Sequence, residues 1–188
     1  TSRRQRQMCI RDSAGCVSAT EDRNDRTVME YVPSDRKGLF PVGRLDKDSE
    51  GLLLMTNNGD IINRMMRAAN KHEKEYKVTV DKPVTDEFLK EMAGGVPILD
   101  TVTRPCQVEK LGKYKFKIIL TQGLNRQIRR MCEALGYEVK ELRRVRIMNI
   151  ELGNLKPGEY RKVTDQELNE LYELIRDSKS EPTPWNNN

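Results

Sequence analysis

Apolar residues in this chain come in short segments whose period switches between two and about 3.6, and that switching limits the fold more than any other feature. Residues 114–122 are the clearest case of period two. Tyr114, Phe116, Ile118 and Leu120 fall on one side and Lys113, Lys115 and Lys117 on the other, so a strand with one dry face is expected. Residues 75–81 alternate in the same way, with Tyr76, Val78 and Val80 together. Residues 51–56 form a compact apolar run, read as a buried strand. Residues 102–111 and 143–152 complete the expected strands. Helical spacing takes over between them. Ile61, Ile62, Met65, Met66 and Ala69 build one face, and both methionines read as core filler. Phe88, Leu89 and Met92 follow a Thr85 cap and stop at Gly94-Gly95. Ile128, Met131, Cys132 and Leu135 lie at i, i+3, i+4 and i+7 in a helix over 125–135. Thr164-Asp165-Gln166-Glu167 is a capping box that opens a helix with Leu168, Leu171, Leu174 and Ile175 inward. A short helix is expected at 26–32, ended by Pro33, followed by a loop over 34–38. Strands interrupted by helices, some joined as hairpins, predict an α+β fold: a mixed, mostly antiparallel sheet with flanking helices.

At 188 residues the chain is long enough for one domain with a core, although only 36% of it is hydrophobic and 34% is charged. The longest apolar run, Leu52-Leu53-Leu54-Met55, is far too short for a membrane helix, and no leader pattern is visible. A cytoplasmic protein without a membrane partner is expected. Cys9, Cys16, Cys106 and Cys132 form no CxxC pair, and with His72 as the single histidine no zinc set is legible, so they read as reduced thiols. The net charge of +5 is unevenly spread. Residues 1–13 carry +3, residues 123–149 carry +4 and residues 150–188 carry −3. A basic concentration suits a nucleic acid, and equally suits a solvated face.

The stretch Gly43-Arg44-Leu45-Asp46-Lys47-Asp48-Ser49-Glu50-Gly51-Leu52 puts a polar loop between two glycines, just before a buried strand. Rigid scaffolds hold reactive groups in such places. A nucleophilic Asp46 would need a nearby cation to stay ionised, and the helix over 125–135 offers Arg126, Arg129 and Arg130 on its polar face. On spacing alone Asp46 and Asp48 read at least as well as turn caps. His72, amid Lys71, Glu73 and Lys74, reads as a loop histidine, Asp60 as a helix start, and Trp185 as part of a frayed tail.

Four segments change those odds. Val42-Gly43-Arg44-Leu45-Asp46-Lys47-Asp48-Ser49-Glu50-Gly51-Leu52-Leu53 strongly resembles the catalytic motif of pseudouridine synthases of the RsuA/RluB/RluE/RluF branch. Lys74-Glu75-Tyr76, Gln122-Gly123-Leu124-Asn125-Arg126-Gln127-Ile128-Arg129-Arg130-Met131 and Leu155-Lys156-Pro157-Gly158-Glu159-Tyr160-Arg161 agree with further motifs of that branch in order and spacing. Asn125-Arg126-Gln127 with Gly94-Gly95-Val96-Pro97-Ile98 looks most like the RluF type, a modifier of uridine in 23S rRNA.

The resemblance implies an isomerase that breaks the bond between ribose and N1 of a uridine, turns the base and rejoins it through C5, with no cofactor and no metal. It implies Asp46 as nucleophile, Tyr76 stacked on the base and able to take the C5 proton, and Arg129 paired with Asp46. Arg44, Arg126 and Arg130 would contact RNA, Ile128 would wall the uracil pocket, and the target uridine would be flipped from its stack. The expected partner is RNA, rRNA or tRNA, and the expected state a monomer. Relatives carry an N-terminal S4-type RNA-binding domain that is not seen here. The expected organisation is a non-native extension with no packed element at 1–13, a catalytic domain at 14–177 whose start is truncated, and a disordered tail at 178–188. Two other readings compete: a non-catalytic RNA-binding fragment using the same basic face, and a carboxylate-dependent hydrolase with Asp48 as second acid.

Overall fold

The computed structural model describes residues 7–12, 27–32, 38–67 and 71–178. The expectations for residues 14–18, for most of the loop before Gly38, for Ala69 and for the tail beyond Ser178, with Cys16 and Trp185, lie outside those residues. The described strands are β1 (Gln7–Asp12), β2 (Phe40–Val42), β3 (Glu50–Thr56), β4 (Lys74–Val80), β5 (Pro97–Ile98), β6 (Thr101–Val102), β7 (Gln107–Gly112), β8 (Lys115–Leu120), β9 (Val139–Ile147), β10 (Ile150–Glu151) and β11 (Tyr160–Lys162). The helices are α1 (Gly59–Met66), α2 (Asp86–Gly94), α3 (Gln127–Ala134) and α4 (Asp165–Ile175), and Val28–Tyr31 is a 3₁₀ turn in place of the expected short helix. One nine-stranded sheet runs β11-β1-β3-β9-β4-β8-β7, with β2 on β3 and β10 on β9; β5 and β6 form a separate hairpin. Only β3 and β9 run parallel among these pairings, so the α+β expectation of a mixed, mostly antiparallel sheet holds.

The run at 52–55 lacks alternation because β3 is covered on both faces. Leu52 and Leu54 enter a core with Ile61, Met65, Ile147, Ile150, Leu171 and Ile175. Leu53 and Met55 face the other way, into a small cluster with Val32 and Leu39. A third core lies under β4, β8 and β9, where Val78, Phe116 and Ile118 meet Phe88 and Met92 of α2 and Ile128, Met131 and Cys132 of α3. Full burial of one such side chain contributes about 1.5–3 kcal/mol. The two expected caps hold, Thr85 Oγ1 accepting from Phe88 N and Thr164 and Glu167 closing a reciprocal capping box, and α1 is capped by Asn58, whose Oδ1 accepts from Asp60 N.

Several expectations are corrected. Residues 1–13 do contain a packed element, since Gln7–Asp12 pair antiparallel with β3 (Gln7 opposite Thr56, Asp12 opposite Gly51) and with β11. Strand pairing uses backbone groups, so it needs no legible side-chain period. The strand expected over 102–111 is split. Val102 belongs to the β5–β6 hairpin and pairing resumes at Gln107, after Pro105, which has no N–H to give a ladder. The strand expected over 143–152 begins earlier, at Val139, and turns at Met148, whose φ is 53°. Met66 and Leu174 are not core residues but 48% and 53% exposed.

Candidate active site

Loop 43–49 is fixed at both ends. Gly43 turns the chain at φ 82°, Leu45 is buried, and buried Ser49 donates its N–H to the Asp46 carbonyl at 2.9 Å. Gly51, at φ 118°, then lets β3 approach β9 so closely that a Cβ there would lie 2.2 Å from the Arg144 carbonyl oxygen. Arg144 is the strut beneath. It is 3% exposed, donates Nε to Leu52 O at 2.9 Å and Nη1 to Arg44 O at 3.4 Å, and so ties the loop to β9.

This loop forms one wall of a cleft of about 460 Å³. Asp46, Arg44 and Lys47 line it from the loop, Lys74 and Tyr76 from β4, Met66 from α1, Arg144 from β9, and Gln122 to Ile128 from the start of α3. Asp46, Tyr76, Arg44, Arg126 and Ile128, chosen from sequence, therefore meet in one cavity. Asp46 is half-buried, and among the described residues its carboxylate accepts no hydrogen bond and closes no ion pair. The charge it acts on is that of Arg126. Its acidic neighbour behaves oppositely. Asp48 takes a two-pronged grip from Arg126, Nη1 at 3.0 Å and Nη2 at 2.8 Å, and these hydrogen bonds, helped by the charge of Arg129, hold its carboxyl below the usual range. A carboxyl held ionised in this way is a poor general acid, which tells against the hydrolase reading.

Arg129 and Arg130 do not stand where sequence reasoning put them. Arg129 is expected to pair with Asp46; instead its Nη2 donates to the Asp48 carbonyl at 2.8 Å and to Ser49 Oγ at 3.4 Å, while Nε lies 3.5 Å from Asp48 Oδ2 without a hydrogen bond. It grips the backbone of the loop that carries Asp46. Arg130 turns back on Asn125, to its carbonyl and to Oδ1, both at 3.0 Å. Arg126 starts α3 in the left-handed region, φ 48° and ψ 39°, at a cost of about 1–2 kcal/mol, at the position where it meets Asp48. Ile128 is buried and walls the cleft.

The basic stretch at 123–149 is likewise less of a patch than its charge suggests. Arg143 pairs with Glu50, Arg146 with Glu73 and Glu75, and Lys140 with Glu138. His72 sits before β4 with Nε2 against Arg64 O and Ser178 Oγ, and burial lowers its pKa. Burial pushes the Cys106 and Cys132 thiols up to about 11 and about 12, so both are inert packing residues. Sequence reasoning missed Met66, Lys74 and Arg144 as cleft residues. Lys74 and Tyr76 share strand parity, a signal that could have found the first.

Residues 12–134 match the family model described as RNA pseudouridylate synthase. The chain belongs to this family. Among relatives of this RNA pseudouridylate synthase family, the dual-specificity RNA pseudouridine synthase RluF of Escherichia coli K12 is 53% identical over 177 residues, which cover 94% of this chain and 61% of that protein. The ribosomal small subunit pseudouridine synthase A of Yersinia pestis is 36% identical over 159 residues, covering 82% of this chain and 67% of that one. A crystal structure of a pseudouridylate synthase superposes with a TM-score of 0.84 at 30% identity, covering 89% of this chain and 74% of that one. The α+β catalytic fold of the pseudouridylate synthase family is thus the fold of this chain. The chain spans 61% of the length of the RluF relatives it matches. Among the described residues, no helix is long and apolar enough to cross a membrane.

Proposed function

We propose that the chain isomerises a specific uridine to pseudouridine in rRNA, of the 23S type, at the Asp46 cleft, acting in the cytoplasm as a monomer without cofactor or metal. We assign the activity to residues 14–177. The observation that carries this reading is the Asp46 carboxylate, which among the described residues accepts no hydrogen bond, fixed in a cleft with Tyr76 by a loop that Arg129 and Arg144 hold from two sides.

Asp46 acts as the nucleophile when the bond between ribose and N1 breaks. Tyr76 stacks on the flipped base and takes the C5 proton after rejoining. Ile128 forms the apolar wall against the ring. Arg44 and Arg126, exposed at the mouth, contact phosphates, while Arg129 positions Asp46 through the loop backbone and Arg130 shapes the turn before α3. The relatives whose names specify RNA pseudouridine synthesis support the substrate class.

The test is a strain lacking this gene, complemented by the wild type or by Asp46→Asn, with pseudouridine mapped in rRNA. Restoration by the wild type alone is expected. Restoration by Asp46→Asn would refute the nucleophile, and failure of the wild type would remove the function.

A further inference from the structure

The cleft has cations at two depths. At its mouth Arg44 and Arg126 are exposed, as suits contact with a solvated phosphate. At its floor stand Lys74, half-buried, and Arg144, almost fully buried. Lys74 lies two residues before Tyr76 on β4 and so emerges on the same face of the strand, into the same cavity. Among the described residues its side chain makes no hydrogen bond and no ion pair. Arg144 has a buried Nη2 that likewise finds no acceptor. A lysine that merely supported the sheet would be paired. Arg146, partly buried on the neighbouring strand, shows what that looks like, since it holds both Glu73 and Glu75. An unpaired ammonium withdrawn from water is costly unless something arrives to meet it.

We propose that Lys74 is a further catalytic residue whose ammonium donates a hydrogen bond to a carbonyl oxygen of the uracil and holds the negative charge of the base once it is detached; this rests on the synthase reading of the cleft. When the C1′–N1 bond breaks, its electron pair leaves with the base and spreads over N1 and the two carbonyl oxygens. C1′ regains electrons from the Asp46 carboxylate or by loss of a neighbouring proton. When C5 bonds to C1′ with that pair, the Asp46 carboxylate is displaced or the neighbouring proton is returned, and the base becomes neutral. The C5 proton then passes by way of Tyr76 to solvent while N1 takes up a proton, so no charge remains on the base. Lys74 transfers nothing and only stabilises the anion, a role that needs a cation pre-placed at the floor rather than recruited from solvent.

Burial, and next the charge of Arg144, lower the Lys74 pKa to about 8. The other titratable or charged groups facing this end of the cleft are Asp46, Arg44 and Lys47 of the loop, Tyr76 of its own strand, Arg126 of α3 and His72 of the segment before β4. The ammonium form dominates below that pKa and is lost as pH rises through it, so its contribution to turnover falls on the alkaline side.

The experiment is steady-state pseudouridine formation by the full chain on unmodified 23S rRNA transcribed in vitro. Wild type, Lys74→Met and Lys74→Arg are compared across the pH range spanning the lysine titration, with Asp46→Asn as control. Lys74→Met is expected to lower kcat about 100-fold with KM little changed, and Lys74→Arg to restore most of it. Wild-type kcat falls as pH rises through about 8, and the fall moves to higher pH in Lys74→Arg. Ionisation of the uracil itself would appear in both profiles alike. Should Lys74→Met lose its melting transition, the comparison of wild type with Lys74→Arg decides alone. An unchanged kcat in a folded Lys74→Met, an effect confined to KM, or an alkaline fall that does not move would each overturn the proposal. A wild type without activity, or an Asp46→Asn that keeps it, would overturn the synthase reading and this proposal with it.

Discussion

The floor and the mouth of the cleft are built from the same residue types and held by opposite means. At the floor, Gly51 and Arg144 lock β3 against β9 through backbone contacts that leave no room for another methyl group. At the mouth, Arg126 meets Asp48 through an ion pair between side chains that are 40% and 49% exposed, an arrangement a phosphate can replace. A buried guanidinium bonded to main-chain carbonyls is structure, whereas an exposed one bonded to a carboxylate is a site in waiting. Charge counted along the sequence cannot tell the two apart, because the difference lies in depth.

The contrast can be broken at the floor with Gly51→Ala. The added Cβ meets the Arg144 backbone, and φ of 118° strains any other residue, so a loss of about 3 kcal/mol and a clear fall in Tm are expected. A Tm unchanged by that substitution would show that the floor is not rigid. The floor also leans on β1, which pairs with both β3 and β11. Ile10→Pro removes an N–H from that ladder and should cost about 1–3 kcal/mol by denaturant titration. No effect would mean that β1 adds nothing to the sheet.

The mouth should respond differently. Arg126→Ala is expected to leave Tm nearly unchanged, weaken RNA binding roughly tenfold and lower the salt slope by about one counterion. A loss of fold instead of affinity would erase the distinction between mouth and floor. The smallest effect is expected far from both. Hydrogen bonds from Arg161, and from the Thr164 cap, hold the Glu167 carboxyl down to about 2, against an ordinary value of 4.5. Its contribution is therefore complete above the ordinary value and is lost as pH falls from there towards about 2. Glu167→Gln should flatten the acid limb of a Tm-against-pH curve in that window while leaving RNA binding alone.

Much of this was legible before any coordinates. The polar loop before β3, the alternation of β4, the apolar face of α3 and the capping box of α4 each rest on local spacing, and local spacing is what a sequence displays. The roles expected of Asp46 and Tyr76 rest on the resemblance instead. Lys74 was legible in principle, since it shares the strand parity of Tyr76, but the arginine of the floor was not. Arg144 sits among Arg143 and Arg146, and only pairing decides that Arg143 reaches Glu50, Arg146 reaches Glu73 and Glu75, and Arg144 turns inward. That pairing includes a register shift between Glu75 and Tyr76 opposite β9, which no periodicity reports. Arg129 illustrates a finer limit. Its helix face was readable, but whether it would reach Asp46 or the main chain two residues on depended on how the loop closes. β1 escaped notice altogether, because a backbone ladder asks little of side chains.

The central claim is that Asp46 performs the isomerisation, and the most direct measurement is release of tritium from RNA labelled at uracil C5, by the purified chain and by its Asp46→Asn variant. The proton at C5 leaves only when the base has been turned and rejoined. Release by the wild type, with a loss on the order of 10⁴-fold or more in the variant and an unchanged melting curve, is the predicted result. Equal release by both proteins would contradict it.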